Sequence, residues 1–136
     1  MNTGKFLIGG LIGGVINFVL GYLVYGLLLM NFFGAHTTAP AGVMRPMENM
    51  VWWALIAGNL TFGLLVSYVL NKGGVKGISP GFIAGAVIGL LFSLSVDLYL
   101  YAQITLWDTT YISVDVICSV VMSGIVGAVV GWYNGR

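Results

Sequence analysis

Charge is what this sequence has least of. Among 136 residues only five are Lys or Arg and four are Asp or Glu, 7% in all, with a net charge of +1 and a single histidine. A soluble domain carries roughly a quarter of its residues charged, so a fully solvated surface is excluded. No basic cluster is present, which removes nucleic acid as a partner. The single cysteine, Cys118, can form no internal disulfide, and its place in an apolar run suits a small core residue. Catalytic signatures are also missing. There is no HExxH, no Gly-x-Ser-x-Gly and no phosphate-binding glycine loop, and His36 has no evident nucleophile beside it. The chain reads as a non-enzyme without a cofactor.

What fills the sequence instead is apolar. Hydrophobic residues make up 59%, and the mean hydropathy is +1.01. Crossing a hydrocarbon core of roughly 30 Å takes about 20 helical residues, and four runs are long enough. They cover about residues 5–33, 51–71, 81–102 and 111–133. The predicted fold is all-α, a polytopic membrane protein whose single domain is a bundle of four transmembrane helices in contact with the lipid bilayer. A cleaved signal peptide is the rival reading of the first run, with Lys5 before it and the small residues Ala39 and Ala41 after it. That run is about twice as long as a signal core, so a retained span is expected. Residues 34–50 form the one long connection, KGGVKGIS a tight polar turn, and QITLWDTT a short connector.

Basic residues set the orientation of such a bundle, because short loops bearing Lys and Arg stay in the cytoplasm. With both termini inside, Lys5, Lys72, Lys76 and Arg136 are cytoplasmic and only Arg45 is outside. Trp52, Trp53, Trp107 and Tyr111 then belong to the outer interface, Trp132 and Tyr133 to the inner one. The expected location is a bacterial inner membrane.

Small residues recur at four-residue steps on every span. The stripes read Gly9, Gly13, Asn17, Gly21, Tyr25; then Asn59, Gly63, Ser67, Asn71; then Gly81, Gly85, Gly89, Ser93, Asp97, Tyr101; and Tyr111, Asp115, Ser119, Ser123, Gly127, Gly131. A period of four exceeds the helical 3.6, so each stripe drifts around its helix. Such stripes suit right-handed crossings of about −40° or contact with two successive neighbours. Phe6, Gly9, Gly13 and Tyr25 match Phe82, Gly85, Gly89 and Tyr101 at a constant offset, a hint of two duplicated hairpins.

Each stripe carries a polar residue in the outer half of the membrane: Asn17, Asn59, Asp97 and Asp115. At about 1.5 Å rise per residue these four can meet as one layer inside the bundle. An ionisable group in lipid must face protein or water, so Asp97 is expected to point inward. No Lys or Arg lies in the interior of any span. The carboxyls must therefore be balanced by protons, amide hydrogen bonds, water or a bound cation. Two readings stay open. The layer is either a ligand or proton site reached from outside, with Tyr22, Tyr25, Tyr99, Tyr101 and Thr61 at its mouth, or hydrogen-bonding glue between helices. No metal site is expected: Met44, Met47 and Met50, preceded by His36, have the thioether spacing that soft Cu(I) selects, but Pro46 interrupts it and flexible membrane-surface anchors are the favoured reading.

The segments NFVLGYLVYGLLL, GFIAGAVIGLLF and LWDTTYISVDVICSVVMSGIVGAVVGWY together cover most of the chain's pattern. In them the sequence resembles small bacterial four-helix integral membrane proteins of unknown function, which implies four spans and supplies no catalytic residue to carry over. The functional expectation is a small integral membrane protein with an outward-facing intramembrane polar site, transporting or binding a proton, a cation or a small polar ligand. The alternative is an accessory or assembly subunit of a larger membrane complex. In either case a homo-oligomer or other membrane partners are expected.

Overall fold

Apolar length dictates the elements, and the small stripes dictate how they pair. The computed structural model describes residues 2–38, 40 and 42–136, and of Met47 the backbone only. Ala39 and Ala41, the small residues of the signal-peptide reading, lie outside the described residues. The described residues form no strand and five α-helices: α1 (Thr3–Gly21), α2 (Met30–Ala35), α3 (Trp52–Lys72), α4 (Ile78–Gln103) and α5 (Thr109–Asn134). Four helical segments are long and apolar enough to cross a membrane: Thr3–Leu28, Trp52–Lys72, Ile78–Gln103 and Thr109–Asn134. The fold is all-α.

Caps and turns mark the boundaries. Asn2 accepts from Lys5 N–H at 3.1 Å and starts α1. Asp108 does the same for α5 through Tyr111 N–H at 2.7 Å, each satisfying an amide that the first helical turn leaves free. Gly74 and Gly77 take positive φ values of 66° and 104° in the turn before α4, a conformation that side chains with a Cβ resist. The first apolar run does not stay α-helical throughout. Tyr22–Leu28 is a π-helical stretch, Leu29 N–H bonds back to Val24 O at 2.8 Å, and α2 follows. A π turn fits an extra residue into the ladder, so the phase of the small stripe shifts after Gly21.

The helices associate as two pairs, α1 with α3 and α4 with α5, and the pairs meet mainly where α5 lies against α1. Although a tight turn joins α3 to α4, these two touch far less than α1 with α3 or α4 with α5. Glycine permits both pairings. A Cβ on Gly85 would stand 2.9 Å from Gly127 Cα, and one on Gly127 would stand 2.7 Å from Gly85 Cα. In the other pair, a Cβ on Gly14 would reach within 2.7 Å of Leu60 Cα, and one on Gly63 within 2.6 Å of Gly14 Cα. Real carbon atoms do not approach so closely without displacement of the backbone. The stripe of α1 is broader than a single row. Gly10 and Gly14 approach α3, while Gly9 and Gly13 also face Val130 and Val126 of α5. One helix thus serves two neighbours, as a drifting stripe allows.

The half of the bundle that carries both termini, called the inner half below, is closed. Val66, Leu70, Val126 and Val130 are fully buried there, with Ile16, Leu20, Val75 and Ile88 packed around them. Ser67 Oγ donates to Phe6 O at 2.8 Å, tying α3 to α1. Lys5 Nζ donates to Asn134 O at 2.9 Å and Arg136 O at 2.8 Å, at the negative end of the α5 dipole. The exterior is apolar in turn: Leu7, Leu11, Val15, Ile83, Leu91 and Ile117 all point outward, the inverse of a soluble surface.

Candidate functional site

Polar side chains meet across each helix pair, and the four residues singled out in the sequence fall into two networks. Between α1 and α3, Asn17 Nδ2 donates to Asn59 Oδ1 at 2.8 Å, and Asn59 Nδ2 donates to Leu55 O at 2.8 Å. The close approach at Gly14 brings the two amides within reach. Between α4 and α5, Ser93 Oγ stands 3.4 Å from Asp97 Oδ2 and 3.5 Å from Asp115 Oδ2. A hydroxyl has one proton to donate, so the serine serves one acid at a time. Asp97 is turned inward and is 8% exposed, and Ser93 is 6% exposed. From the π-helical stretch, Tyr25 OH donates to Asp115 Oδ1 at 2.7 Å.

The single layer expected of Asn17, Asn59, Asp97 and Asp115 is therefore divided. No hydrogen bond joins the amide pair to the acid cluster among the described residues. The reason is geometric: α1 packs on α3 and α4 on α5, so each polar residue finds its partner within its own pair. The phase shift of the π turn lets Tyr25 cross from the first pair to Asp115 of the second.

A cavity of about 910 Å³ lies between the pairs in the half away from the termini, called the outer half below, toward the upper end of the roughly 300–1,000 Å³ of small-molecule pockets. Asn17 and Asn59 line it together with Ser119 and Ser123 of α5, and Tyr22 and Tyr25 form part of its wall. Asp97 and Asp115 do not line it, and Tyr25 connects the cavity to them. Apolar walls come from Phe18, Phe62, Phe92 and Met122, and Met44, Arg45, Pro46 and Met50 of the long connection border the opening. Phe62 and Phe92 bridge the slight contact between α3 and α4, their ring centroids 5.7 Å apart.

The other expected residues are placed as follows. Tyr99 and Tyr101 are exposed and do not line the cavity, and Thr61 Oγ1 bonds to Ala57 O of its own helix at 2.7 Å. His36 Nδ1 lies 2.8 Å from Asp108 Oδ2 in an exposed contact, and His36 does not line the cavity that Met44 and Met50 border; the Met47 side chain lies outside the described residues. Among the described residues no three His, Cys, Asp or Glu side chains are arranged around a common metal position. The His36–Asp108 contact belongs to a clasp over the outer end. Thr38 N–H donates to Leu106 O at 2.7 Å, Thr37 Oγ1 to the same carbonyl at 2.9 Å, and Thr38 Oγ1 to Thr105 O. The Tyr111 backbone N–H, and after it His36, hold the Asp108 carboxyl below the usual carboxylate range.

Sequence reasoning named neither Ser93, Ser119 and Ser123 nor Phe62 and Phe92 as site residues. The three serines sit on the four-residue stripes, one or two steps from Asp97 and Asp115, and that spacing was the available signal. The phenylalanines carried none, since an aromatic residue in an apolar span looks the same wherever it points.

Comparison with protein-family models gives no match, and neither curated proteins nor solved structures yield one.

Proposed function

We propose that this chain is a non-enzymatic integral membrane protein of a bacterial inner membrane that binds and passes a small cation at the Asp97–Asp115 pair. The cation is a proton or a monovalent metal ion, and it arrives through the outward-facing cavity. Both termini are cytoplasmic in this reading, supported by Lys5, Lys72, Lys76 and Arg136 at one end of the bundle against Arg45 alone at the other.

The observation that carries the proposal is the hydrogen-bonded line from cavity wall to acids: Tyr25 to Asp115, with Ser93 between Asp115 and Asp97. No Lys, Arg or His side chain forms an ion pair with either acid among the described residues. Two carboxyls in a low-dielectric interior without a protein cation are balanced by taking up a proton or by holding a small cation. The Tyr25 hydroxyl at Asp115 and the Ser93 hydroxyl between the acids supply the donors and acceptors through which a proton moves or a small cation is coordinated.

The test is flux into vesicles containing the purified protein, read by an internal pH dye under a proton gradient and by ion-selective dyes under sodium and potassium gradients. Wild type is expected to pass one of the three. Asp97→Asn, which preserves shape and hydrogen-bonding capacity, is expected to abolish that flux while leaving the helical circular dichroism intact. Equal flux in the variant would remove the acid pair from the function.

A further inference from the structure

The cavity makes a chemical demand that the acid pair does not explain. Its walls are apolar and aromatic, from Phe18, Phe62, Phe92 and Met122, yet its polar lining is entirely uncharged below the opening. Asn59 lies seven residues into α3, about 10 Å below the outer helix end. At that depth the Asn17–Asn59 pair uses only part of its capacity: Asn17 Oδ1 accepts no hydrogen bond among the described residues, and Ser123 Oγ makes none. A cation passing through on its way to Tyr25 gains nothing from the aromatic walls, and a strongly hydrated ligand held against them would lose its water. An apolar body fits those walls, and a neutral head that both donates and accepts fits the amides and the serine.

We infer that the cavity binds a compact, largely apolar, uncharged molecule carrying one hydrogen-bonding head group, such as a phenolic or amide head on a ring system. The head sits at Asn17, Asn59 and Ser123, and the body lies between Phe62, Phe92 and Met122. The ligand enters from the outer side, since the inner half is closed by Val66, Leu70, Val126 and Val130. This rests on the outward-facing reading of the cavity but not on the acids: among the described residues Tyr25 alone both lines the cavity and bonds to one of the acids.

A fluorinated naphthol is a minimal probe, read by fluorine NMR with the full chain in phosphatidylcholine nanodiscs. A saturable shift is expected with protein and none with empty discs. Fluoronaphthalene, which lacks the head, and a naphthyl trimethylammonium, which is charged, are each expected to bind roughly fivefold to tenfold more weakly, the equivalent of about one net hydrogen bond. The Asn17→Leu/Asn59→Leu double variant is expected to lose the naphthol preference over fluoronaphthalene. Should that variant not fold, Gly58→Leu fills the cavity from a position where a Cβ meets nothing within 4 Å, and it is expected to abolish the saturable shift. No saturable binding, equal binding of the three probes, or unchanged binding to Gly58→Leu would overturn the inference. Asp97→Asn separates the two proposals: it is expected to bind naphthol as wild type does while losing cation flux. If naphthol binding survives in wild type that passes no cation, the acid-pair proposal fails alone; if flux persists without naphthol binding, the inference fails alone.

Discussion

The inner and outer halves of this bundle are built from the same residue types and behave differently. Inside, glycine meets glycine across α4 and α5, and Val66, Leu70, Val126 and Val130 fill the remaining space. Outside, the pairs separate, Gly58 has no neighbour within 4 Å of a Cβ position, and a cavity opens. A small residue is thus a contact in one half and a vacant volume in the other. Sequence composition alone does not separate these roles; distance to the next helix does.

The largest effect is expected where the two halves differ most. Gly127→Leu must push α4 away, because a Cβ there would already stand 2.7 Å from Gly85 Cα. It is expected to cost several kcal/mol, beyond the usual 1–3 kcal/mol of overpacking, and to leave little folded protein in mild detergent by size-exclusion chromatography. The same close contact bears on the assembly reading, since the stripes of α4 and α5 are occupied by each other within one chain. Gly58→Ala should act in the opposite direction, raising stability by roughly 0.5–1 kcal/mol through helix propensity alone. A thermal midpoint that falls for Gly58→Ala would erase the contrast between the halves.

Leu70→Ala comes next. It empties a fully buried site in the closed half and is expected to cost about 2–5 kcal/mol in reversible unfolding, whereas Met50→Ala at the open end should cost less than about 1 kcal/mol. Equal losses would mean that the outer half is as tightly packed as the inner. Tyr25→Phe sharpens the comparison within the outer half. Removing the hydroxyl that reaches Asp115 should lower stability by about 1 kcal/mol and slow flux, while Tyr22→Phe, on the same wall without that bond, should leave both unchanged.

The smallest expected effect lies in the outer clasp. Asp108 is held below its ordinary value by Tyr111 N–H and His36, so its contribution is complete above the unfolded carboxylate value of about 3.9 and is lost as pH falls through the lower folded value. The group is fully exposed, and the effect should shrink as salt is added. Melting from pH 7 down to pH 3 should show a slight acid-side decline that is absent in Asp108→Asn. A decline equally large in that variant would assign it to other carboxylates.

How far the sequence carries can be followed residue by residue. Spans and stripes were legible because hydropathy and helical period are properties of short consecutive stretches. Asp97 was expected to face inward on the cost of a carboxyl in lipid, and it is 8% exposed. The joint layer of Asn17, Asn59, Asp97 and Asp115 did not form, because its level was read from depth along each helix while contact also depends on rotation and on which helices are neighbours. The π turn at Tyr22–Leu28 escaped for a related reason: YLVYGLL is apolar and helix-compatible, and nothing in it marks a change of helical phase.

By itself the sequence determined that this chain is all-helical, that four segments are long and apolar enough to span a bilayer, and that its few polar residues lie on the small-residue faces. Each of these follows from free energies that sum along the chain, such as transfer from water and local hydrogen bonding. Only the tertiary structure decided that α1 pairs with α3 and α4 with α5, that amides and acids segregate, and that a cavity with an uncharged polar floor stands between them. Those outcomes depend on contacts between residues far apart in sequence, where a single glycine opposite a glycine or a valine sets the distance between helices.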